Sequence, residues 1–599
     1  MKNRIVELLS NKKRVLVDYS AMIVMAKTQS LSFFTEQIIS HRVMLILPAY
    51  FRFQHESVFQ TSDQEGKANF GALRDLLARV EKADLLTWTD HLSAFPFLSE
   101  YASDPTNLFV VGKKSFVLER IRDRNISGSM PVFVISATFF KMYSSLNVCL
   151  EEEAPYVIHK VSGSDEYLDV EIHCNVGDTV YDDEGKPVYL ASKISTGAEG
   201  IVFRTGDPDY VAKVYHKAVI TPLRWRKLMR MRQAAIRAKG LAWPCKLLYT
   251  FNKVPVGFVM PTAEGRTLGS VFDGPDAVLA HYPDWKRVDV VNTSISILQK
   301  IIYLHLHNVL IGDIQLKNMM IKDTQNVFVI DMDSVQFEDM PCPVGTEDYT
   351  PPELWDYSFS AILREPVHED YSCGILVFSL LFCGQHPYAQ RLGKETLREE
   401  MLDRAFPYHM QKAEESMVPL GGYDRIWDAL PVRLKMMFVN AFSNGIRYEP
   451  TEWYDALLEY KKQLQEHAFA DEQYYNLFPF TDVSRIVVIE NKAGFKKSFR
   501  EAIIHAPEES SEMISARIDL RAQRMKREYI GSEDKVFSPQ SKTEAPLTNS
   551  NVSASNNKST DADNDSVDVK EFLMRPLTIL LLSVFIVLVI LLFVVTNSL

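Results

Sequence analysis

Short hydrophobic runs alternate with longer amphipathic stretches over the first 148 residues. Apolar runs end at Asp18, Pro48 and Ser136, and helix-like sequence lies between them. Brief apolar runs predict buried strands, and strands that alternate with helices predict a mostly parallel sheet. We therefore expect residues 1–148 to form an α/β domain.

The pattern changes after a connector at 149–189. Strand-like runs occur at 210–215 and 256–260, whereas residues 288–307 carry apolar side chains at helical spacing. A part rich in strands is thus followed by a part rich in helices. We expect residues 190–465 to form an α+β domain of two lobes, with a cleft between them.

A strongly basic helix is predicted at 222–239. Thr221 supplies an N-cap and Pro222 a first-turn proline, both of which favour a helix start. Its lysines and arginines would either bind phosphate groups, on a protein or on lipid headgroups, or form a solvated face.

The C-terminal end has the pattern of a membrane anchor. Residues 577–595 are 19 positions without a charge, enough to cross a hydrocarbon core of roughly 30 Å as a helix. Lys570 and Arg575 precede the run, so the positive-inside rule predicts that the upstream domains face the cytoplasm. We expect a helical extension at 466–530, a disordered tether at 531–574 and a transmembrane helix at 575–596.

Composition narrows the function classes. With 66 basic and 77 acidic residues the net charge is −11, which disfavours a general nucleic-acid binder. The six cysteines contain no C-x-x-C pair, and we expect them to be reduced thiols in a cytosolic protein.

Two acids and an amide form the most distinctive pattern in the chain. Asp313 and Asn318 lie five residues apart, and a strand predicted at 326–330 ends at Asp331. If both residues lie on one loop beside that strand, Asp313 at one end of the loop would meet an acceptor hydroxyl, and Asn318 at the other end would meet a metal ion. Phosphoryl-transfer sites combine these groups in this order. Asp333 adds a further carboxylate that we expect to help hold magnesium.

A glycine-rich turn and the strands that follow it are suited to a nucleotide triphosphate. Backbone N–H groups of such a turn approach phosphates, and a lysine on a rigid strand provides a fixed positive charge. In the protein kinases, whose glycine-rich loop and lysine strand these motifs resemble, a later strand ends at a hinge whose backbone meets the adenine ring. That resemblance implies a place at the nucleotide for Gly197, Gly200, Val202, Ala212, Lys213 and Met260.

Taken in this order, the motifs resemble those of the eukaryotic-like protein kinases, especially their divergent bacterial members. The resemblance extends over residues 194–465. It includes a segment at 345–353 that is similar to the end of a kinase activation segment, and an Arg447 expected to pair with Glu353. It implies transfer of the γ-phosphoryl group of ATP, with Mg²⁺ or Mn²⁺, to a Ser or Thr hydroxyl.

The resemblance also implies a role for each site residue. Asp313 would orient the acceptor hydroxyl, and Lys213 would clamp the phosphates. Asn318, Asp331 and Asp333 would hold the metal.

Several positions depart from the kinase pattern. No Asp or Glu occurs between Lys213 and Glu264, although kinases place a glutamate on the helix after the lysine strand. We expect Lys213 either to pair with another carboxylate, such as Asp331, or to lack its active geometry. Gly312 stands where kinases have an arginine, and Gln315 stands where they have a lysine.

The run that begins at Leu16 resembles the opening of PIN-like nuclease domains. In that family an aspartate at the end of the first strand, here Asp18, begins a carboxylate cluster that binds magnesium or manganese. The other acids of the cluster are missing at the matching places, so we expect a degenerate PIN-like site without nuclease activity.

The sequence thus predicts a multidomain protein kinase anchored by a C-terminal helix, with ATP and Mg²⁺ as cofactors and an unidentified protein substrate. Two alternatives remain open. One is a pseudokinase scaffold that binds ATP, and the other is a membrane-tethered PIN-type ribonuclease with a regulatory kinase domain.

Overall fold

The structure is a computed structural model that describes residues 2–479, apart from gaps at 62–63, 91–93, 114, 124–125, 137–139, 153–173, 217–218, 235, 237, 395 and 411–416. The predicted tether and transmembrane helix lie outside the described residues, as does nearly all of the predicted 466–530 extension. Within the described ranges, no helix is both long and apolar enough to cross a bilayer.

The N-terminal part is a six-stranded sheet with helices on its faces. Strand order is β3-β2-β1-β4-β5-β6, and all neighbours are parallel except β5 and β6. This arrangement agrees with the predicted α/β alternation. The strands are β1 (Arg14–Val17), β2 (Met44–Pro48), β3 (Leu86–Thr89), β4 (Asn107–Gly112), β5 (Val132–Ile135) and β6 (Phe140–Tyr143). The helices are α1 (Lys2–Leu9), α2 (Tyr19–Lys27), α3 (Leu31–Ser40), α4 (Ala49–Thr61), α5 (Gln64–Lys82), α6 (Ala94–Tyr101), α7 (Phe116–Asp123) and α8 (Leu146–Glu152).

An antiparallel seven-stranded sheet of order β8-β7-β12-β13-β11-β10-β9 follows. Its core is apolar and includes Phe203, Ala212, Leu248 and Val259. The strands are β7 (Thr179–Asp182), β8 (Pro187–Tyr189), β9 (Ser192–Thr196), β10 (Gly200–Arg204), β11 (Tyr210–Tyr215), β12 (Lys246–Tyr249) and β13 (Pro255–Pro261), with helix α9 (Pro222–Gln233) after β11.

The basic helix begins where the sequence predicts and ends earlier. The Thr221 side chain accepts a hydrogen bond from the Arg224 N–H at 3.1 Å, which confirms the predicted N-cap. The helix stops at Gln233 rather than continuing to 239, because Ala234 turns to an extended backbone with ψ 137°.

The second lobe is mostly helical and is built around two buried helices. The observed α12 (Arg287–Leu306) confirms the helix predicted at 288–307, and it packs against α13 (Pro366–Leu381). The remaining helices are α10 (Leu268–Val271), α11 (Pro275–His281), α14 (Leu397–Leu402), α15 (Tyr423–Asp428), α16 (Val432–Phe442) and α17 (Pro450–Gln465). Short strands complete it: β14 (Arg266–Thr267), β15 (Val309–Leu310), β16 (Met319–Ile321), β17 (Val327–Val329) and β18 (Gln336–Phe337).

The N-terminal sheet domain packs directly on this helical lobe. Helix α4 lies against α12 and α17, and α7 lies against α13. The rings of Phe116 and His305 meet edge to face across this contact, with centroids 5.6 Å apart. All six cysteines are free thiols.

Gly384, just after α13, tests how tightly this lobe is packed. Its φ is +95°, and a Cβ there would lie 1.7 Å from the carbonyl oxygen of Phe272. We expect Gly384→Ala to lower the free energy of unfolding by about 3 kcal/mol, because an overlap adds to the cost of a left-handed alanine. Gly177 has a similar φ of +98° but open space around it, so Gly177→Ala is a matched control with an expected loss of about 1 kcal/mol. Urea denaturation measures both losses, and equal losses would contradict the packing argument.

Candidate active site

Lys213 lies in the middle of β11 and is only 6% exposed. Its Nζ donates to both carboxylate oxygens of Asp333, at 2.8 and 3.0 Å, and to Glu199 at 3.3 Å. A carboxylate oxygen of Asp331 lies 3.6 Å away. Burial disfavours the charge on Lys213, but the nearby carboxylates, with Asp333 first, outweigh it and raise the lysine pKa. Lys213 is thus a permanent cation in the cleft.

Asp333 is fully buried, and its oxygens are occupied by protein donors. Besides the two bonds from Lys213, the Tyr215 hydroxyl donates to Oδ2 at 2.7 Å, and Arg224 lies 3.8 Å away. Burial favours the neutral acid, but the charges of Lys213 and Arg224 prevail and lower the pKa of Asp333. The geometry therefore makes Asp333 the partner of Lys213, whereas its expected part in holding magnesium stays a prediction.

The charges of the glycine-rich turn and of helix α9 are reversed relative to the kinase pattern. The helix supplies Arg224, and the acid comes from Glu199, between the two glycines of the turn. The two side chains meet at 2.6 Å. Burial opposes ionisation of Glu199, but Arg224 and Lys213 lower its pKa overall. The sequence did not predict that Glu199 would pair with Lys213 and Arg224, because the glycine-rich motif does not specify a residue at position 199 and the helix motif does not specify one at 224.

Other cations of α9 have partners within the chain. Lys227 donates to the carbonyl oxygens of Ser334, Val335 and Pro341 at 2.9–3.2 Å, and burial lowers its pKa to about 8. Arg230 and Arg232 form ion pairs with Glu338 and Asp183 respectively. Four basic residues of the helix, counting Arg224, therefore tie it to neighbouring segments, and the ligand of its exposed basic side chains stays a prediction.

The loop after α12 brings Asp313 and Asn318 together. Asp313 accepts hydrogen bonds from the side chains of Gln315, Asn318 and Thr346, each at 2.8 Å. Gln315 thus makes the contact at the position where kinases carry a lysine. Because the Asn318 amide nitrogen donates to Asp313, its Oδ1 is the atom left to act as a ligand.

Asp331 lies beside this loop and differs sharply from Asp333. The N–H of Ile330 donates to the carbonyl oxygen of Asn318 at 2.9 Å, which places Asp331 next to Asn318. Asp331 has a left-handed backbone, φ 56° and ψ 35°, and its side chain is 53% exposed. Strained non-glycine backbones of this kind cluster at functional sites. The exposed carboxylate beside an amide oxygen suits Mg²⁺, which takes one or two carboxylates and completes its shell with phosphates and water.

The residues predicted at the nucleotide lie on three adjacent strands, except Gly197, which lies in the turn between β9 and β10. Val202 on β10 pairs with Lys213, and Met260 on β13 pairs with Val211, next to the buried Ala212. The turn closes through a bond from the Gly197 N–H to the Gly200 carbonyl at 2.9 Å. A Cβ on Gly200 would lie 2.4 Å from the Val214 carbonyl oxygen, so the close strand contact requires glycine. The strands bring these residues together; their contact with adenine stays a prediction.

The backbone before Asp313 is held from two sides. Glu369 accepts from the N–H groups of Ile311 and Gly312 at 3.1 and 2.8 Å. Arg364 donates to the carbonyl oxygens of Gly312 and Val344, which joins the loop to the following segment. Gly312 has φ +78°, and a Cβ there would lie 2.3 Å from the Arg364 guanidinium. The arginine missing at position 312 is thus replaced in space by Arg364.

The predicted ion pair of the second lobe is present. Arg447 Nη2 lies 2.5 Å from Glu353 Oε1, which confirms the expectation from sequence. The pair joins the end of the segment after Asp333 to the loop before α17.

Asp18 is buried, and it does not form part of a carboxylate cluster. Only 1% exposed, it caps α2, accepting from the Ser20 N–H at 3.0 Å and from the hydroxyls of Ser20 and Ser115. Burial raises its pKa. It lines a cavity of about 30 Å³ whose lining also includes Glu449 and Thr451 of the helical lobe. Among the residues that the structure describes, no group of three or more His, Cys, Asp or Glu is arranged to hold a metal ion.

The part of the chain that carries Asp313, Asn318, Asp331 and Asp333 is similar to known proteins. Residues 252–421 match the protein kinase domain family. Two curated relatives are the proteins named protein kinase YegI of Escherichia coli O157:H7 and of strain K12. Each is 30% identical to this chain, over 224 and 223 residues respectively, and each match covers 35% of this chain and 34% of the relative. The chain thus spans about a third of the length of the relatives it matches. Part of the chain is thus similar to protein kinase domains and distantly similar to a bacterial protein kinase.

Proposed function

We propose that the protein is an ATP-dependent serine/threonine protein kinase. The observation that carries this proposal is that three separate segments form one connected set. Lys213 Nζ lies 3.6 Å from a carboxylate oxygen of Asp331. Asp331 follows Ile330, whose N–H donates to the carbonyl oxygen of Asn318. The Asn318 side chain in turn donates to Asp313. These contacts support one site with a phosphate clamp, two oxygen ligands and a carboxylate for the acceptor.

Each residue has a defined task in this reaction. Lys213 binds phosphate oxygens, and Asn318 and Asp331 would hold Mg²⁺, which neutralises phosphate charge when bound. Asp313 aligns the acceptor hydroxyl and takes its proton as the oxygen–phosphorus bond forms and the γ-phosphoryl group leaves ADP. Three protein donors orient the Asp313 carboxylate: Gln315 and Asn318 donate to Oδ2, and Thr346 donates to Oδ1, which retains a lone pair for a substrate hydroxyl.

The ion pairs of Lys213 bear on the pseudokinase alternative. That alternative rests on the missing glutamate of the helix after the lysine strand. In this chain Asp333 and Glu199 supply the carboxylates instead, so the lysine is fixed and charged without an acid on α9. This arrangement supports an active kinase.

We also propose that the protein is anchored at the cytoplasmic face of a membrane by a helix at 575–596. The uncharged run 577–595 and the basic residues before it support this placement. The ribonuclease alternative is not favoured, because Asp18 is buried and the described residues give it no cluster of acids that could hold a nuclease metal.

Asp313→Asn in the full chain tests the proposed reaction. We expect phosphoryl transfer from Mg-ATP to fall by about 10²- to 10⁴-fold, because the base is lost, whereas Mg-ATP binding stays within about twofold. Asp356→Asn, an exposed position in the same lobe, is the matched control and should retain full transfer. Autophosphorylation with labelled ATP and nucleotide titration measure the two properties. Equal transfer by Asp313→Asn and the unchanged protein would reject the proposal.

Asp333→Asn tests the assignment of the lysine partner through pH. Because the pKa of Lys213 is raised, the lysine keeps its positive charge at pH values below that pKa. It loses the charge as the pH rises through the pKa. The unchanged protein should therefore keep a constant KM for ATP between about pH 7.5 and 9.5. In Asp333→Asn the lysine loses its first carboxylate and its pKa falls, so KM should rise about tenfold within that range. The same flat profile in both proteins would show that Asp333 does not hold the charge of Lys213.

A further inference from the structure

A side chain of the N-terminal domain enters the helical lobe of the kinase domain. Arg120 on α7 is only 8% exposed, and its guanidinium lies among residues of α12, α13 and α17. Nε and Nη2 donate to the two oxygens of Asp370 at 2.9 and 2.5 Å, and Nη1 lies 3.1 Å from Glu449. Burial opposes the charge, but Asp370 and Glu449 outweigh it and raise the arginine pKa. The bidentate contact fixes the guanidinium plane.

The same guanidinium fixes the tautomer of His305. Its Nη2 also lies 3.2 Å from His305 Nδ1, and an arginine has donors only, so Nδ1 must accept. The proton of the neutral imidazole is then on Nε2, which donates to Glu369 Oε1 at 2.8 Å. Without Arg120 the opposite tautomer becomes available, and its lone pair on Nε2 would face the carboxylate.

Glu369 is the residue that holds the backbone immediately before Asp313. Its oxygens accept from the N–H groups of Ile311 and Gly312, and Asp313 is the next residue in the chain. A continuous line of hydrogen bonds therefore extends from Arg120 through His305 and Glu369 to the loop that carries the proposed base.

We propose that Arg120 is a positioning residue for phosphoryl transfer, and that docking of the N-terminal domain sets the geometry of the Asp313 loop. This inference rests on the proposed kinase function. A displacement of about 1 Å at a reacting group is enough to lower a rate by about 100-fold. Movement of α7 away from the helical lobe would therefore lower the rate of transfer without altering the phosphate-binding residues around Lys213, which lie on other elements. The N-terminal domain is in this way a built-in regulator of the kinase domain.

The test compares Arg120→Met with Arg433→Met in the full chain. Arg433 is a matched control, because it also forms ion pairs with two carboxylates, Asp455 at 2.5 Å and Glu459 at 2.8 Å, away from the catalytic loop. For Arg120→Met we expect kcat to fall about tenfold or more, with KM for ATP within about twofold. Hydrogen exchange at the amides of residues 311–313 should quicken. Arg433→Met should change neither property, and Arg120→Lys, which keeps a charge at Asp370, should recover part of kcat.

The result that would overturn the inference is a folded Arg120→Met protein with unchanged kcat and unchanged exchange at 311–313. If Arg120→Met does not fold, the triple variant Arg120→Met/Asp370→Asn/Glu449→Gln removes the unpaired carboxylates and takes its place. A folded triple variant with full kcat and unchanged exchange would overturn the inference equally. Failure of the proposed function is distinguishable, because the unchanged protein would then transfer no phosphate while hydrogen exchange still reports the link from Arg120.

Discussion

Lys213 and Asp333 form a buried ion pair between β11 and the segment that follows β17, 120 residues apart in the chain. A lone buried charge of either sign would be strongly destabilising, and removal of one partner from such a pair costs about 3–5 kcal/mol. Tyr215 completes the arrangement by donating to the same carboxylate. The pair therefore links the antiparallel sheet to the end of the strand that carries Asp331, and it holds the two sides of the cleft in register.

The position of this carboxylate explains the unusual sequence around it. Since Asp333 already pairs with Lys213, no acid on helix α9 is required to balance the charge of the lysine. The helix instead carries Arg224, which pairs with Glu199 of the glycine-rich turn. Asp331 is then left exposed, with only a 3.6 Å contact to the lysine. Two aspartates that are separated by one residue thus have different environments, one buried and paired, the other accessible to a metal ion.

Local patterns predicted the elements and the order of the motifs, whereas long-range contacts decided the roles. The α12 helix, the Thr221 cap and the Arg447–Glu353 pair follow from spacing and motif order. Sequence spacing does not reveal that Arg364 fills the space above Gly312, 52 residues away, or that Arg120 reaches Asp370, 250 residues away. The glycine at position 312 was the one sequence signal for the contact with Arg364, because a residue without a side chain leaves room for the guanidinium. No local pattern marks Arg120, because its partners lie in another domain.

The central claim is that a metal-bound triphosphate lies over Lys213, held by Asn318 and Asp331 while Asp333 remains bound to the lysine. The measurement that tests it most directly is a crystal structure of the full chain with Mg²⁺ and a non-hydrolysable ATP analogue. The account predicts Mg²⁺ on Asn318 Oδ1 and the Asp331 carboxylate, with the Lys213–Asp333 pair intact. Mg²⁺ coordinated by Asp333, or an analogue bound away from Lys213, would contradict it.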